Sequence, residues 1–418
     1  MRILKISQLV FILSVTSSGQ WYEKPDGLPD TCYAYAIDAV DSLIATGLFS
    51  TTSNHKPDSI YFTTTGGNIW YSRSLPYDLL SYEYIYDISI KDENKIWFCT
   101  GEGKIYNTNN GGFDWQLQFY DTSMTKFMNY IEMFDSLNGI AMGDAPANDK
   151  PALFLKTTNG GNNWISQNLS FFLGESNVSI WRTVDFINTN RGYFILFNGP
   201  LYKTTNSGGF WWSITSYQNM RIIKAFDADL LLGVDQYILH RTTDGGQSWE
   251  SNQSNLLEFG FDIEFIPGSP EKVWYISSAV CYSSDTGRTW QEEFRLADYS
   301  FMDIVFTEES SGWLLANSNA YPNPAKIFRT ANGGHGGIVS IDDNSSDINP
   351  KGYSLEQNYP NPFNPVTKIK FTIPTSPLNP SPYQGGGNRE RLTTLKVYDV
   401  LGNEIAILCK RRKTCRRI

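Results

Sequence analysis

Nothing constrains the fold of this chain more than the stretch Arg241-Thr242-Thr243-Asp244-Gly245-Gly246-Gln247-Ser248-Trp249, because altered copies of it return along the sequence. Thr63-Thr64-Thr65-Gly66-Gly67 leads to Trp70, Thr108-Asn109-Asn110-Gly111-Gly112 to Trp115, and Thr157-Thr158-Asn159-Gly160-Gly161 to Trp164. Thr204-Thr205-Asn206-Ser207-Gly208 leads to Trp211, and Ser283-Ser284-Asp285-Thr286-Gly287 to Trp290. The copy at Thr330-Ala331-Asn332-Gly333-Gly334 lacks its tryptophan. A motif returning at steps of about 40–50 residues marks a repeat architecture. Each copy has the chemistry of a hairpin turn. Its hydroxyl, amide and carboxylate side chains can bond backbone groups that the turn removes from the ladder, and its glycines take positive φ without a Cβ penalty. The tryptophan opens the next strand, where its ring can bury about 150–250 Å2.

A short apolar strand precedes every turn, for example Ile60-Tyr61-Phe62, Leu153-Phe154-Leu155 and Val280-Cys281-Tyr282. Two more strands lie upstream, as in Ile88-Ser89-Ile90 with Ile96-Trp97-Phe98 and in Ile304-Val305-Phe306 with Trp313-Leu314-Leu315. Four antiparallel strands per repeat describe one propeller blade. An aromatic content of 15% suits many short strands, and there is no helical stripe to compete. The pattern resembles the Asp-box (BNR-like) repeat of sialidases, sortilin-type receptors and photosystem assembly-factor-like propellers. That resemblance implies an all-β, seven-bladed β-propeller. It makes Thr65, Asn110, Asn159, Asn206, Asp244, Asp285 and Asn332, with Trp70, Trp115, Trp164, Trp211, Trp249 and Trp290, structural residues of a rim away from the active face. The tryptophan missing from the seventh copy has a substitute at the other end of the chain. Gln20-Trp21-Tyr22-Glu23 reads as an orphan fourth strand, so Trp21 is expected to fill the empty place and close the ring.

The termini read differently. Met1-Arg2-Ile3-Leu4-Lys5, an apolar run from Leu9 to Val15, and Thr16-Ser17-Ser18-Gly19 have the plan of a secretory signal peptide. The run is too short to span a bilayer. The expected organisation is a signal peptide over 1–19, the propeller over 20–338 and a polar linker over 339–352. Residues 353–408 carry Tyr359-Pro360-Asn361-Pro362-Phe363-Asn364-Pro365 and two alternating segments, Thr367-Lys368-Ile369-Lys370-Phe371-Thr372-Ile373 and Leu395-Lys396-Val397-Tyr398-Asp399-Val400. They resemble the C-terminal sorting domain of type IX secretion cargo, a small β-sandwich. The resemblance implies export by the type IX secretion machinery, through the periplasm, to the outer surface or the medium of a bacterium. A Pro- and Gly-rich insert over 376–392 and a basic tail over 409–418 depart from that pattern and leave the sandwich incomplete. The net charge is −9 although Lys410, Arg411, Arg412, Lys413, Arg416 and Arg417 crowd the tail, so the body is strongly acidic. An acidic body argues against a nucleic-acid partner. The five cysteines have no metal-binding spacing and are expected as buried thiols.

Signals for chemistry are sparse. Sialidases resemble this chain in the boxes but need three arginines. Arg182 and Arg221 hold matching places before first strands, an arginine pair and not a triad. Glycoside hydrolysis needs two carboxyls about 5–9.5 Å apart. Asp87, Asp262 and Asp303 hold equivalent first-strand positions, with Glu132 and Asp185 slightly further along, and are the catalytic candidates. Their competing role is to bond nearby backbone amides. Three scattered histidines and the absence of a nucleophile elbow, P-loop or metal loop leave no cofactor or metal expected. Long connections at Gly47 to Ser59, Met142 to Ala152 and Asn317 to Lys326, with Phe49, His55, Asp144, Asp149 and Tyr321, suit contact with a protein or glycan. Trp181, Arg182 and Arg221 are the ligand-binding candidates, although Trp181 would also suit the core between blades. The sequence therefore reads as a secreted or cell-surface propeller with non-catalytic protein or glycan binding. The alternative is a carbohydrate-active hydrolase using paired carboxylates. A photosystem-type assembly factor shares the repeat and is set aside on the export signal.

Overall fold

A computed structural model of the chain describes residues 21–24, 26–51, 58–76, 78–79, 83–124, 127–147, 150–167, 183–195, 200–214, 220–235, 238–252, 259–320, 324–335 and 338–339, with four further strands at 354–355, 371–372, 391–398 and 404–413. The chain divides into two units, 1–341 and 342–418.

In the first unit each repeat becomes an antiparallel sheet, and six of the seven sheets keep their four strands in chain order. Blade one is Tyr33–Ala39, Ala45–Ser50, Ser59–Thr63 and Tyr71–Arg73. The gradient of burial across a blade follows its apolar content. In blade two, Ile96–Thr100 and Lys104–Thr108 are buried at every residue, whereas Gln116–Tyr120 faces solvent. Middle strands are covered by blades on both sides, so they read as continuous apolar runs and not as alternation.

Blade seven closes the wheel. Tyr299–Glu308, Ser311–Ser318 and Lys326–Thr330 are followed by Trp21–Glu23, which pairs antiparallel with Lys326–Thr330. Trp21 has no exposed surface and meets Trp274 at 5.9 Å and Phe306 at 5.8 Å, both edge-on. The expected closure is therefore present. A fifth strand not foreseen, Ile338–Val339, lies parallel outside Trp21–Glu23.

The box turns follow one plan. Thr242 Oγ1 accepts the amides of Asp244 (3.3 Å) and Gly246 (3.0 Å), and Asp244 Oδ1 accepts the amide of Ser248 at 2.9 Å. Each box then docks on the hairpin between the first two strands of its own blade, as Gly245 N on Asp229 O (2.9 Å) and Gly66 N on Leu43 O (2.9 Å). Boxes and these hairpins thus share one face, and the first strands start from the other. Glycine is required where a box meets the preceding blade. Gly208 has φ +79°, and a Cβ there would sit 2.1 Å from Phe154. Trp70 and Trp211 are fully buried. Trp115, Trp164, Trp249 and Trp290 are only half-buried, with Trp249 Nε1 donating to Gly246 O of its own turn at 3.1 Å.

Among the described residues, Cys32, Cys99 and Cys281 are buried thiols outside any disulfide. In the second unit, Ser354–Leu355 pairs with Phe371–Thr372, and Arg391–Tyr398 with Glu404–Lys413, both antiparallel. The last strand runs past Leu408 into the basic tail, and its partner begins inside the 376–392 insert. The signal segment 1–19 and most of the 339–352 linker lie outside the described residues. Among the described residues no helix is long and apolar enough to cross a membrane.

Candidate functional site: the central channel

Alternate residues of a strand face the same side, so the innermost strand of each blade sends a row of side chains toward the axis. Together they line a cavity of about 200 Å3 that includes Asp38, Asp87, Glu132, Asp185, Asp262, Glu264 and Asp303, with Lys91, Lys224 and Tyr130. Carboxylates make up most of the polar part of this lining.

Several of these acids join one blade to the next. Asp303 Oδ2 accepts the amide of Ile37 at 2.7 Å, tying blade seven to blade one. Asp38 accepts from Ile90 (2.8 Å), Asp87 from Ile131 (2.9 Å), Asp185 from Ala225 (2.7 Å) and Asp262 from Ile304 (3.3 Å). Ser89 does the same for Met133 at 3.1 Å. A first strand has a neighbour on one edge only, so its other edge carries amides in need of acceptors. The adjacent blade supplies them.

The remaining polar groups form a cluster. Lys224 Nζ lies 2.7 Å from Glu264 and 3.4 Å from Asp185, and these side chains keep 29%, 12% and 16% of their surface open to the channel. Burial works against the Lys224 ammonium, but Asp185, Glu264 and Asp262 together hold its pKa well above the usual lysine range. Tyr130 donates its hydroxyl to Glu132. Burial raises the Glu132 carboxyl to about 7, against the Tyr130 bond and with help from the Asp185 charge. Burial also raises Asp38, which Lys91 partly offsets.

The catalytic candidates Asp87, Asp262 and Asp303 do converge on the channel. Each spends one oxygen on the next blade's backbone, which favours the amide-bonding role over acid–base work. Arg221 donates its amide to Val234 O at 2.7 Å and holds its guanidinium 5.0 Å from the Phe259 ring centre. Trp181 and Arg182 lie outside the described residues, as do His55, Asp149 and Tyr321. Phe49 is not a loop-tip residue but is wholly buried against Tyr61. Asp144 accepts a bond from Asn129 Nδ2 at 3.0 Å.

Sequence reasoning missed Asp38, Lys91, Tyr130, Lys224 and Glu264. The signal was present as polar residues alternating with apolar ones in first strands, Ile37-Asp38-Ala39 and Ile223-Lys224-Ala225 among them. It also missed a second repeated turn, in which Asp41, Asp92, Asp135, Asn188 and Asp227 bond amides two and three residues on.

No family model matches the chain. A stretch of 179 residues is 26% identical to the Photosystem II assembly lipoprotein Ycf48 of Picosynechococcus sp., covering 38% of this chain and 49% of that protein. The match thus spans about half the length of that curated relative. Among solved structures, YCF48 bound to D1 peptide superposes with a TM-score of 0.59 at 16% identity, over 74% of this chain and 96% of that one. YCF48 from Cyanidioschyzon merolae gives 0.58 at 15% identity, over 74% and 98%. An ancestral GH74 enzyme gives 0.51 at 14% identity, over 74% of this chain and 47% of that one. At such identities the superpositions speak for the fold and not for the chemistry. The chain is a seven-bladed β-propeller of the Asp-box type with a Ycf48-like fold.

Proposed function

We propose that this propeller is a non-catalytic binding module that takes an extended protein segment at the mouth of its channel, with a basic side chain directed among the carboxylates. One observation carries the reading. Asp38, Asp87, Glu132, Asp185, Asp262, Glu264 and Asp303 converge on a single cavity against Lys91 and Lys224, and Lys224 is already neutralised by Asp185 and Glu264. A surplus of negative charge between low-dielectric walls attracts cations and steers their approach. The YCF48 structure with a D1 peptide supports a peptide as the kind of ligand this fold can hold. Residues 1–19 and 353–408 support a location outside the cytoplasm, reached by type IX export; finding the chain retained in the cytoplasm of its own host would refute that part. The binding reading is tested by fluorescence anisotropy of the full chain with labelled basic and acidic peptides. At pH 8, above the Glu132 pKa of about 7, basic peptides should bind, more weakly in Glu132→Gln and more weakly at high salt. Equal affinity for both signs of charge would refute it.

A second reading rests on Glu132, raised to about 7 beside the charge of Asp185. A carboxyl still protonated near neutral pH beside an ionised one is the pairing that glycoside hydrolysis uses. Release of reducing sugar from oligosaccharides by the full chain, abolished in Glu132→Gln, would move the assignment to hydrolase.

A further inference from the structure

The face opposite the boxes carries a strip of a different character from the channel below it. In blades one, two and three the first strand breaks register near its start, between Ala34 and Ala36, between Ile85 and Asp87, and between Met128 and Tyr130. A bulge leaves one residue out of the ladder and re-aims its side chain. The residues so released are Tyr35, Tyr86 and Asn129. Each immediately precedes a channel-lining residue, Ala36, Asp87 and Tyr130, so the bulges sit at the channel's rim.

The released side chains do not stand alone. Tyr35 packs 5.0 Å from Tyr33, and Tyr86 lies 4.3 Å from Phe127, edge to face. Burial pushes the Tyr35 hydroxyl up, and the charges of Tyr33, Asp58 and Tyr86 push it further. Burial raises Tyr86 too, with Asp144 and Tyr84 adding to it. Tyr84, Tyr86 and Phe127 crowd around Gly101, where a Cβ would lie 3.4–3.7 Å from all three, and Asp144 N–H bonds Phe127 O at 3.0 Å. The Tyr33–Tyr35 pair and Asp58 stand at the same rim on blade one, so aromatic rings and acids recur at the starts of three successive blades. Tyr86 is 40% exposed. The two acids come from the connections between second and third strands. Asp58 bonds the amide of Thr51 at 3.0 Å, and Asp144 is held by Asn129 at 3.0 Å.

We infer that this aromatic and acidic arc receives arginine side chains of the bound segment. The inference rests on the proposal that a protein segment occupies the channel mouth, and it names the chemistry of that segment. Ring faces attract cations, and carboxylates beside them complete the match. Arginine fits both features together, because its planar guanidinium can stack on a ring while its edge offers paired donors to a carboxylate; a lysine ammonium does one or the other.

Anisotropy with the full chain tests this, using a fluorescein-labelled nonapeptide of three arginines among serines and its lysine and glutamate counterparts. The arginine peptide should bind best and the glutamate peptide least. Tyr86→Ala should weaken the arginine peptide about two- to fivefold, as expected for an exposed cation–π contact, and should shrink its advantage over lysine. Tyr86→Phe should restore both. Asp58→Asn and Asp144→Asn should weaken arginine binding and flatten its salt dependence. An unchanged thermal midpoint for each variant separates these effects from misfolding. If Glu132→Gln weakens binding while the Tyr86, Asp58 and Asp144 variants do not, the channel reading stands and the arc is overturned. If the arc variants weaken binding and Glu132→Gln does not, the arc stands without the channel. Lysine and arginine peptides bound equally by the unmodified chain would overturn the arginine assignment.

Discussion

Trp21 stands opposite Thr330, the hydroxyl residue that opens the seventh box, in the ladder position that Trp70 holds relative to Thr63 one step beyond the Phe62–Tyr71 pair. A side chain from one end of the chain thus completes a motif begun near the other. The seam of the wheel is covalently separate but packed as any other blade. A fully buried tryptophan cut to alanine costs about 3–5 kcal/mol, so Trp21→Ala should lower the urea midpoint sharply. Trp249→Ala, at a half-buried box, should cost clearly less. Equal losses would mean that the seam is no more dependent on its tryptophan than an ordinary rim.

The carboxylate bonds between blades make a second prediction. Asp303 is 2% exposed and accepts the amide of Ile37. Removing the acceptor strands a buried donor, at about 1–3 kcal/mol. Asp303→Ala should therefore destabilise by that order in chemical denaturation. Asp303→Asn, which keeps an oxygen in place, should recover much of the loss.

Glu132 predicts a pH dependence of fixed sign. Its pKa is raised from 4.5 to about 7, first by burial. A carboxyl raised on folding binds more protons in the folded state, so its contribution is complete below about 4.5 and is lost as pH rises through about 7. Asp38 shifts in the same direction. Asp244 shifts the other way, held down to about 2 by the hydroxyl and amide of Ser248; its contribution is lost only as pH falls below the ordinary aspartate range. Denaturation midpoints of the unmodified protein should fall between about pH 5 and pH 8, and Glu132→Gln should flatten that fall. An identical slope in the variant would contradict the assignment.

The box turn makes a local prediction. Thr242 Oγ1 receives the amides of Asp244 and Gly246, and Thr242 is 1% exposed. Thr242→Val keeps the shape but removes the acceptor, and should cost about 1–3 kcal/mol. Thr243→Val, at the neighbouring exposed position, should change little. Parallel thermal melts of the two variants decide it.

How far the site could be read from the residues depended on the range of the interaction involved. Box turns bond within a few residues, as Asp244 does with Ser248, so their role is written locally. The absence of a tryptophan after Gly334 and the spare one at Trp21 made even the closure visible, because a repeat exposes what one copy lacks. Asp87, Asp262 and Asp303 could be aligned but not assigned. Whether such an acid faces a substrate or a backbone amide depends on the next blade, whose amide donors no local pattern records.

The order of strands, the blade count and the pairing of the propeller's first strand with its last repeat were thus determined by the sequence alone, through short-range turn chemistry repeated seven times. The channel was decided only by the tertiary structure. Closing seven blades about one axis gathers acids that are far apart in the chain into one small space, where burial and mutual repulsion give Glu132 a proton affinity it would not have in an isolated strand.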